Sequence, residues 1–295
     1  MVGYAEKRKL GEKPREGIRN RRRSAAWYDD LAANGLVEGE PGARIIGTPL
    51  GRRAVVDYEF PDPDTMRQRF PELWQPLEDR LRAAGVDSHV TCDLEDPRNR
   101  RWIEPVLFGQ LFEPPRRDYV VLERKNPLPE GVPPGMPEGY ASRPARGGDE
   151  TALLPVVSEA FAEEEPTVES LARELADADW AMVAERESQP VGLCLMGDTD
   201  GLAWVDSLAV LADHRGKGIG EALLVAGLAW ARDNRPGPVR VYTDFWRAEA
   251  MGLYRKFGFT QAYTGVQFRR PMDPAEIQEI LSRRKNTYSR WVGFR

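Results

Sequence analysis

The 295-residue chain has little of what several functions require. It holds two cysteines, Cys92 and Cys194, and two histidines, His89 and His214. The cysteines lie far apart in strand-like surroundings. They indicate neither a disulfide framework nor a zinc site, and they fit a reducing, cytoplasmic setting. Two histidines exclude a multi-histidine centre, and no metal is expected. No apolar run approaches the length of a membrane span. No apolar segment follows the basic N-terminal residues, so neither a secretory signal nor a membrane partner is expected. Charge of one sign is not in excess: 42 Lys and Arg face 47 Asp and Glu, a net of −5. That balance gives no general reason to expect a nucleic-acid partner. The composition is that of a globular protein rich in proline, with length for two modest domains. A homodimer stays open.

What the chain does have is a distinctive stretch from Asp206 to Leu224. Ser207–Leu211 is a short apolar run suited to a buried strand. Asp213-His214-Arg215 breaks it, and Gly216, Gly218 and Gly220 follow at every second position. From Ile219 the period becomes helical, with Ile219, Leu223, Gly227 and Trp230 on one face. A helix starting inside the glycine turn points its unpartnered N–H groups back into that turn and favours an anion there. The missing β-carbons let a phosphate approach the backbone, and Arg215 and Lys217 add positive charge. No Gly-Lys-Ser/Thr closes the pattern, so it is not a P-loop. Glu221 and Leu223 stand where a dinucleotide fingerprint would need glycine. On these residues alone, an ordinary glycine-rich strand–helix turn remains the plainer alternative.

Arg215, Gly218 and Gly220 form Arg-x-x-Gly-x-Gly, and Leu253-Tyr254-Arg255-Lys256-Phe257-Gly258-Phe259 follows downstream. The two segments, in this order and at this separation, resemble the GNAT superfamily of acyl-CoA-dependent N-acyltransferases over residues 141–272. The resemblance implies a mixed, twisted sheet flanked by helices and an acetyl-CoA cosubstrate. Its pyrophosphate would lie on Arg215, Gly216, Lys217, Gly218, Ile219, Gly220 and Glu221. Its pantetheine arm would pair with Leu208, Ala209 and Val210, where a bulge would also aim an N–H at the developing oxyanion. Tyr254 takes the position of the family's general acid. An Asn frequent six residues before the Leu of Leu-Tyr is Arg247 here. Arg247 either reaches the 3′-phosphate or the acceptor, or is simply exposed.

The expected class is α/β (α+β), with this C-terminal domain and a smaller N-terminal α/β unit. Residues 1–44 form a basic arm (Lys7, Lys9, Lys13, Arg15, Arg19, Arg21, Arg22, Arg23), solvated or wrapped over a neighbouring domain, or contacting phosphate. A short helix is expected at 24–34. Residues 45–126 read as strand, helix, strand, helix, strand. Pro71 and Pro76 are expected to break or kink the first helix, and Gly85 to end it. Residues 127–140, dense in Pro and Gly, are the expected linker. Residues 273–295 form a helical tail. The 45–126 unit resembles a decayed half-copy of the later domain, with Phe108–Phe112 matching Phe257–Phe259 and Pro61-Asp62-Pro63-Asp64 replacing the glycine turn. Such a pair is similar to two-domain GNAT enzymes of the mycothiol synthase type.

The resemblance implies acetyl transfer to a primary amine of a small-molecule acceptor, a metabolite or an antibiotic. Asp206, just before the Leu208–Val210 segment, and Asp244, at the end of the next expected strand, are candidates to take the amine's proton, directly or through a water, or to hold a cationic acceptor. A structural carboxylate is the plainer reading of each. The acceptor site is expected near Phe161, Glu163, Glu164, Glu165, Trp204, Asp206, Tyr263 and Gln267. The competing readings are a non-catalytic acyl-CoA-binding module and a protein N-acetyltransferase.

Overall fold

Strand-period and helix-period segments alternate along the chain. In a computed structural model describing residues 18–95, 100–125, 135–199 and 201–292 they assemble into two units. The first runs to Asp118 and takes in the chain again from Thr264; the second is Tyr119–Tyr263.

In the first unit, β1 (Ile18–Arg19) and α1 (Ala25–Asn34) precede β2 (Leu36–Glu40), β3 (Ala43–Leu50) and β4 (Arg53–Phe60). Then come α2 (Pro63–Ala83), β5 (His89–Leu94), α3 (Arg100–Gly109) and the start of β6 (Glu113–Arg124). The returning chain adds β12 (Thr260–Pro271) and α8 (Pro274–Val292). The sheet order is β2-β3-β4-β5-β12, with β1 on β4. Met66, Phe70, Leu73, Trp74, Leu77 and Leu81 form the buried stripe of α2. The helix is not broken at Pro71 or Pro76: it runs on from Pro63 to Ala83. Both prolines lie on the exposed face, so water can satisfy the carbonyls they leave unpaired, and burial of the opposite stripe carries the helix through. Gly85, at φ 89°, ends it.

The second unit takes the end of β6 from Tyr119, then β7 (Ala141–Pro144), α4 (Glu150–Ala160) and α5 (Val168–Asp177). Next come β8 (Trp180–Arg186), β9 (Gln189–Thr199), β10 (Leu202–Val210), α6 (Ile219–Asn234), β11 (Val239–Asp244) and α7 (Ala248–Lys256). Its sheet runs β7-β8-β9-β10-β11-β6 and is mixed: β10 and β11 are parallel, the other pairs antiparallel. One face carries α6 and α7, through Leu223, Leu224, Leu228 and Met251. The other carries α4 and α5, through Leu153, Val156, Val157 and Leu171.

The unit boundaries differ from the expected 126/127 and 272. Residues 119–124, read as the last strand of the first half, pair with β11. Residues 261–269, expected as the last strand of the second, belong to β12, whose Val266–Pro271 pairs with β5. The second unit is thus completed by the strand that follows α3 and the first by the strand that follows α7, which no local pattern reveals. Lys7, Lys9, Lys13 and Arg15 of the arm, and 126–134 of the linker region, lie outside the described residues. Arg19, Arg21 and Arg23 of the arm pair with Glu59, Asp57, Asp93 and Glu95 of the first unit. Ser24 caps α1, accepting from Trp27 N.

Candidate functional site

The site is built where β10 and β11 part. They pair at Ala203–Val205 with Val239–Val241 and no further, whereas β10 continues along β9 to Val210. The change coincides with a register shift between Val205 and Ser207 that leaves Asp206 as the extra residue. Such a bulge bends the strand and turns it away from its neighbour. The expected bulge at Leu208–Val210 is therefore displaced to Asp206. Beyond it, the side of Ser207–Val210 that faces β11 has no strand partner among the described residues.

After Val210 the chain makes a 3-10 turn (Ala212–His214) and enters the glycine turn. Gly216 (φ 71°) and Gly218 (φ 87°) take the left-handed backbone that glycine allows without strain, and α6 starts at Ile219. Among the described residues, the N–H groups of Gly216 to Glu221 have no acceptor, and the first helical bond is Ala222 N to Gly218 O. Such a row of donors at the start of a 16-residue helix favours negative charge. Arg215 braces the turn: Nε donates to Val210 O (2.9 Å), and Nη2 pairs with Glu159 (3.3 Å), which also accepts from Ala212 N. Lys217 donates to Asp213 O (2.7 Å).

The glycine turn and Leu208–Val210 line a cavity of about 720 Å3, within the range of small-molecule sites. Its other walls are the end of α4 and the Trp246–Ala250, Leu253 and Tyr254 side of α7. Tyr254 is 5% exposed and packs edge-on against Phe259. Burial raises its pKa, the nearby Cys194 thiol adds to this and Arg247 opposes it, so the phenol keeps its proton at neutral pH.

Arg247 fixes the start of α7. Its guanidinium bonds Asp244 Oδ2 (3.1 Å) and Ala160 O (2.8 Å), and lies over the rings of Trp246 and Phe161. Asp244 is buried behind it and does not line the cavity. Asp206 does not line the cavity either; it lies at the bulge just before the lining residues Leu208–Val210, towards the α4–α5 side. As a whole residue it is exposed, yet its carboxylate is crowded by protein. The resulting desolvation, then the charges of Asp179 and Glu174, push its pKa up to about 7.

The proposed cofactor residues Leu208, Ala209, Val210, Arg215, Gly216, Gly218, Ile219, Gly220, Glu221, Arg247 and Tyr254 all meet at this cavity, while Lys217 does not line it. The acceptor residues scatter. Phe161 stacks under Arg247 beside the 3-10 turn carrying Glu164, and Trp204 and Tyr263 pack with Tyr119 and Val121 below Arg240. Several lining residues are not among the candidates, and three of them shape the site. Glu159 anchors the turn. Trp246 forms a wall. His214 accepts or donates a hydrogen bond with Tyr140 (3.0 Å). His214 sits inside the glycine motif and was legible there. Glu159, fifty-three positions away from its partner, had no local signal.

Among the described residues no group of three His, Cys, Asp or Glu could hold a metal ion. No described helix is long and apolar enough to cross a membrane.

Residues 178–261 match the model of the acetyltransferase (GNAT) domain. A mycothiol acetyltransferase of Pseudarthrobacter chlorophenolicus is 34% identical over 155 residues, covering 45% of this chain and 46% of the relative. One from Thermobispora bispora is 32% identical, covering 52% and 58%. The chain thus spans about half the length of the curated relatives it matches. Two solved structures share the fold at a TM-score of 0.55. A GCN5-related N-acetyltransferase from Sphaerobacter thermophilus (24% identity) covers 80% of this chain and 78% of its own. A tandem GNAT protein from the clavulanic acid biosynthesis pathway (15%) covers 78% of each.

Proposed function

From the premise that residues 178–261 form an acetyltransferase domain of the GNAT family, we propose that the protein transfers an acetyl group from acetyl-CoA to a primary amine. One observation carries this reading. An open strand edge, a row of unpaired N–H groups and a protonated phenol border the same cavity. These features suit, in turn, an extended amide-bearing arm, a pyrophosphate and a departing sulfur.

Acetyl-CoA supplies the acetyl thioester. The backbone around the bulge polarises its carbonyl, and the amine nitrogen forms the new C–N bond as the C–S bond breaks. Tyr254 gives its phenolic proton to the sulfur. Asp206, with its pKa raised to about 7, takes the amine's proton directly or through water. Asp244 holds Arg247 in place rather than taking a proton. The relatives named mycothiol acetyltransferase make amines of the mycothiol type the first acceptors to try, ahead of unrelated metabolites and antibiotics. Both thiols, Cys92 and Cys194, are buried and free, which suits the reducing setting of the cytoplasm.

The test is thiol release from acetyl-CoA over a panel of amines, with and without Tyr254→Phe. Release that requires an amine and collapses in the variant supports the reading. Acetyl-CoA binding with no amine-dependent release would make the chain a binding module, and release only with peptide amines would make it a protein acetyltransferase.

A further inference from the structure

The first unit repeats the strand geometry that opens the site in the second, but there the opening is filled. β4 and β5 are parallel and pair for three residues, Arg53–Val55 with His89–Thr91. β10 and β11 likewise pair for three and then part. β3 covers the other edge of β4 from Arg53 to Glu59. The edge facing β5 is taken at its far end by the chain's own N-terminal segment: Ile18 pairs with Phe60 and Arg19 with Glu59, antiparallel.

Asn20 completes the insertion. Its N–H donates to Tyr58 O (3.4 Å), and its carbonyl accepts from Glu95 N (2.8 Å), so the segment bridges β4 and the chain just past β5. Its side chain donates to Asp57 (2.8 Å) and accepts from Tyr58 N (2.9 Å) and the Tyr28 hydroxyl (3.0 Å). Ile18 and Asn20 have no exposed surface. Arg21 follows with ion pairs to Asp57 (2.6 Å) and Asp93 (2.9 Å).

The helix after β4 is closed to anions as well. In the second unit the N–H groups at the start of α6 have no acceptor among the described residues. In the first, the Asp62 carboxylate accepts from Asp64 N (2.8 Å) and Thr65 N (2.9 Å). A carboxylate so placed already supplies the negative charge that the helix start attracts, and it repels a second one.

We propose that residues 18–20 are a built-in strand occupying, in the first unit, the groove that borders the acyl-CoA cavity in the second. The first unit therefore binds no acyl-CoA, and each chain carries one. The segment is an internal stand-in for an extended ligand, added to a strand edge through main-chain bonds. This rests on the reading of the second unit as the acyl-CoA site.

Native mass spectrometry of the full chain with CoA tests it, on wild type and on Gly218→Glu, which places a carboxylate in the second unit's glycine turn. One CoA on wild type and none on the variant is expected. Two on wild type, or one retained by Gly218→Glu, overturns the proposal. No CoA on either protein sinks the reading of the second unit instead. Amide hydrogen exchange then decides the arm alone. Exchange at Asn20 and Glu95 slowed on the order of a thousandfold supports a permanent strand. Exchange at the rate of unstructured chain overturns it.

Discussion

The carboxylate of Asp206 fills the space that a side chain on Gly197 would need: a β-carbon there would overlap Oδ2 and stand 3.2 Å from Cγ. Gly197 lies on β9 opposite Trp204, and its φ is not positive, so alanine suits the backbone. Its cost falls on the carboxylate, which must turn away. Gly197→Ala should lower kcat/KM about tenfold, roughly 1.4 kcal/mol of transition-state stabilisation. The acidic limb of the pH profile should move with it. An unchanged limb would detach Gly197 from Asp206 chemistry.

Asp206 titrates near pH 7, so below that pH it holds a proton and cannot accept another. Activity should fall as pH drops through about 7. Asp206→Asn should flatten that limb and lower kcat on the order of a hundredfold or more. The stability effect has the opposite sense. A carboxyl whose pKa is higher folded than unfolded binds extra protons in the fold between about pH 4 and 7. Its charge therefore opposes folding as pH rises through that window. Asp206→Asn should raise the melting temperature at pH 8 more than at pH 4; the reverse ordering would contradict the raised pKa.

Tyr254→Phe removes the hydroxyl and keeps the ring that packs on Phe259. It should reduce kcat about a hundredfold with little change in the KM for acetyl-CoA. A rise in KM alone would leave Tyr254 as a wall of the cavity.

Gly218 carries the left-handed turn that begins α6. Gly218→Glu should abolish the rise in melting temperature that acetyl-CoA gives to wild type, which grows with the logarithm of ligand concentration once saturated. A shift retained in full would move the ligand off this turn.

Pro71→Ala and Pro76→Ala restore N–H donors on the exposed face of α2. Each should stabilise the fold by about 1–3 kcal/mol in denaturant unfolding, since an interior helical proline costs about 3 kcal/mol and unfolded-chain entropy recovers part of it. Destabilisation would show that the prolines set a bend the core needs.

Much of the site was legible because its signals are local. The glycine spacing, the switch of period at Ile219 and the Leu-Tyr segment each lie within a few residues, and the structure brings them to one cavity. Most helices and the strands from β4 onward were readable for the same reason, whereas β1, β2 and β3, over or beside residues read as an arm, were not. Two further kinds of feature were not. Pro71 and Pro76 looked like breaks because a proline's local cost is visible while the burial that outweighs it is tertiary. The displaced bulge, the Glu159 brace and the partners of 119–124 and 266–271 depend on residues that meet only in the fold.

The exchange of closing strands bears on synthesis. The first unit needs Val266, Phe268 and Met272 for its core and β12 for its sheet, yet these leave the ribosome more than a hundred residues after β5. The part of the protein made first must wait with the edge of β5 uncovered, while the second unit, whose strands from β6 to β11 emerge in one continuous run, can close before it. An order in which the N-terminal domain folds first would leave the first unit without one of its own strands until β12 is made.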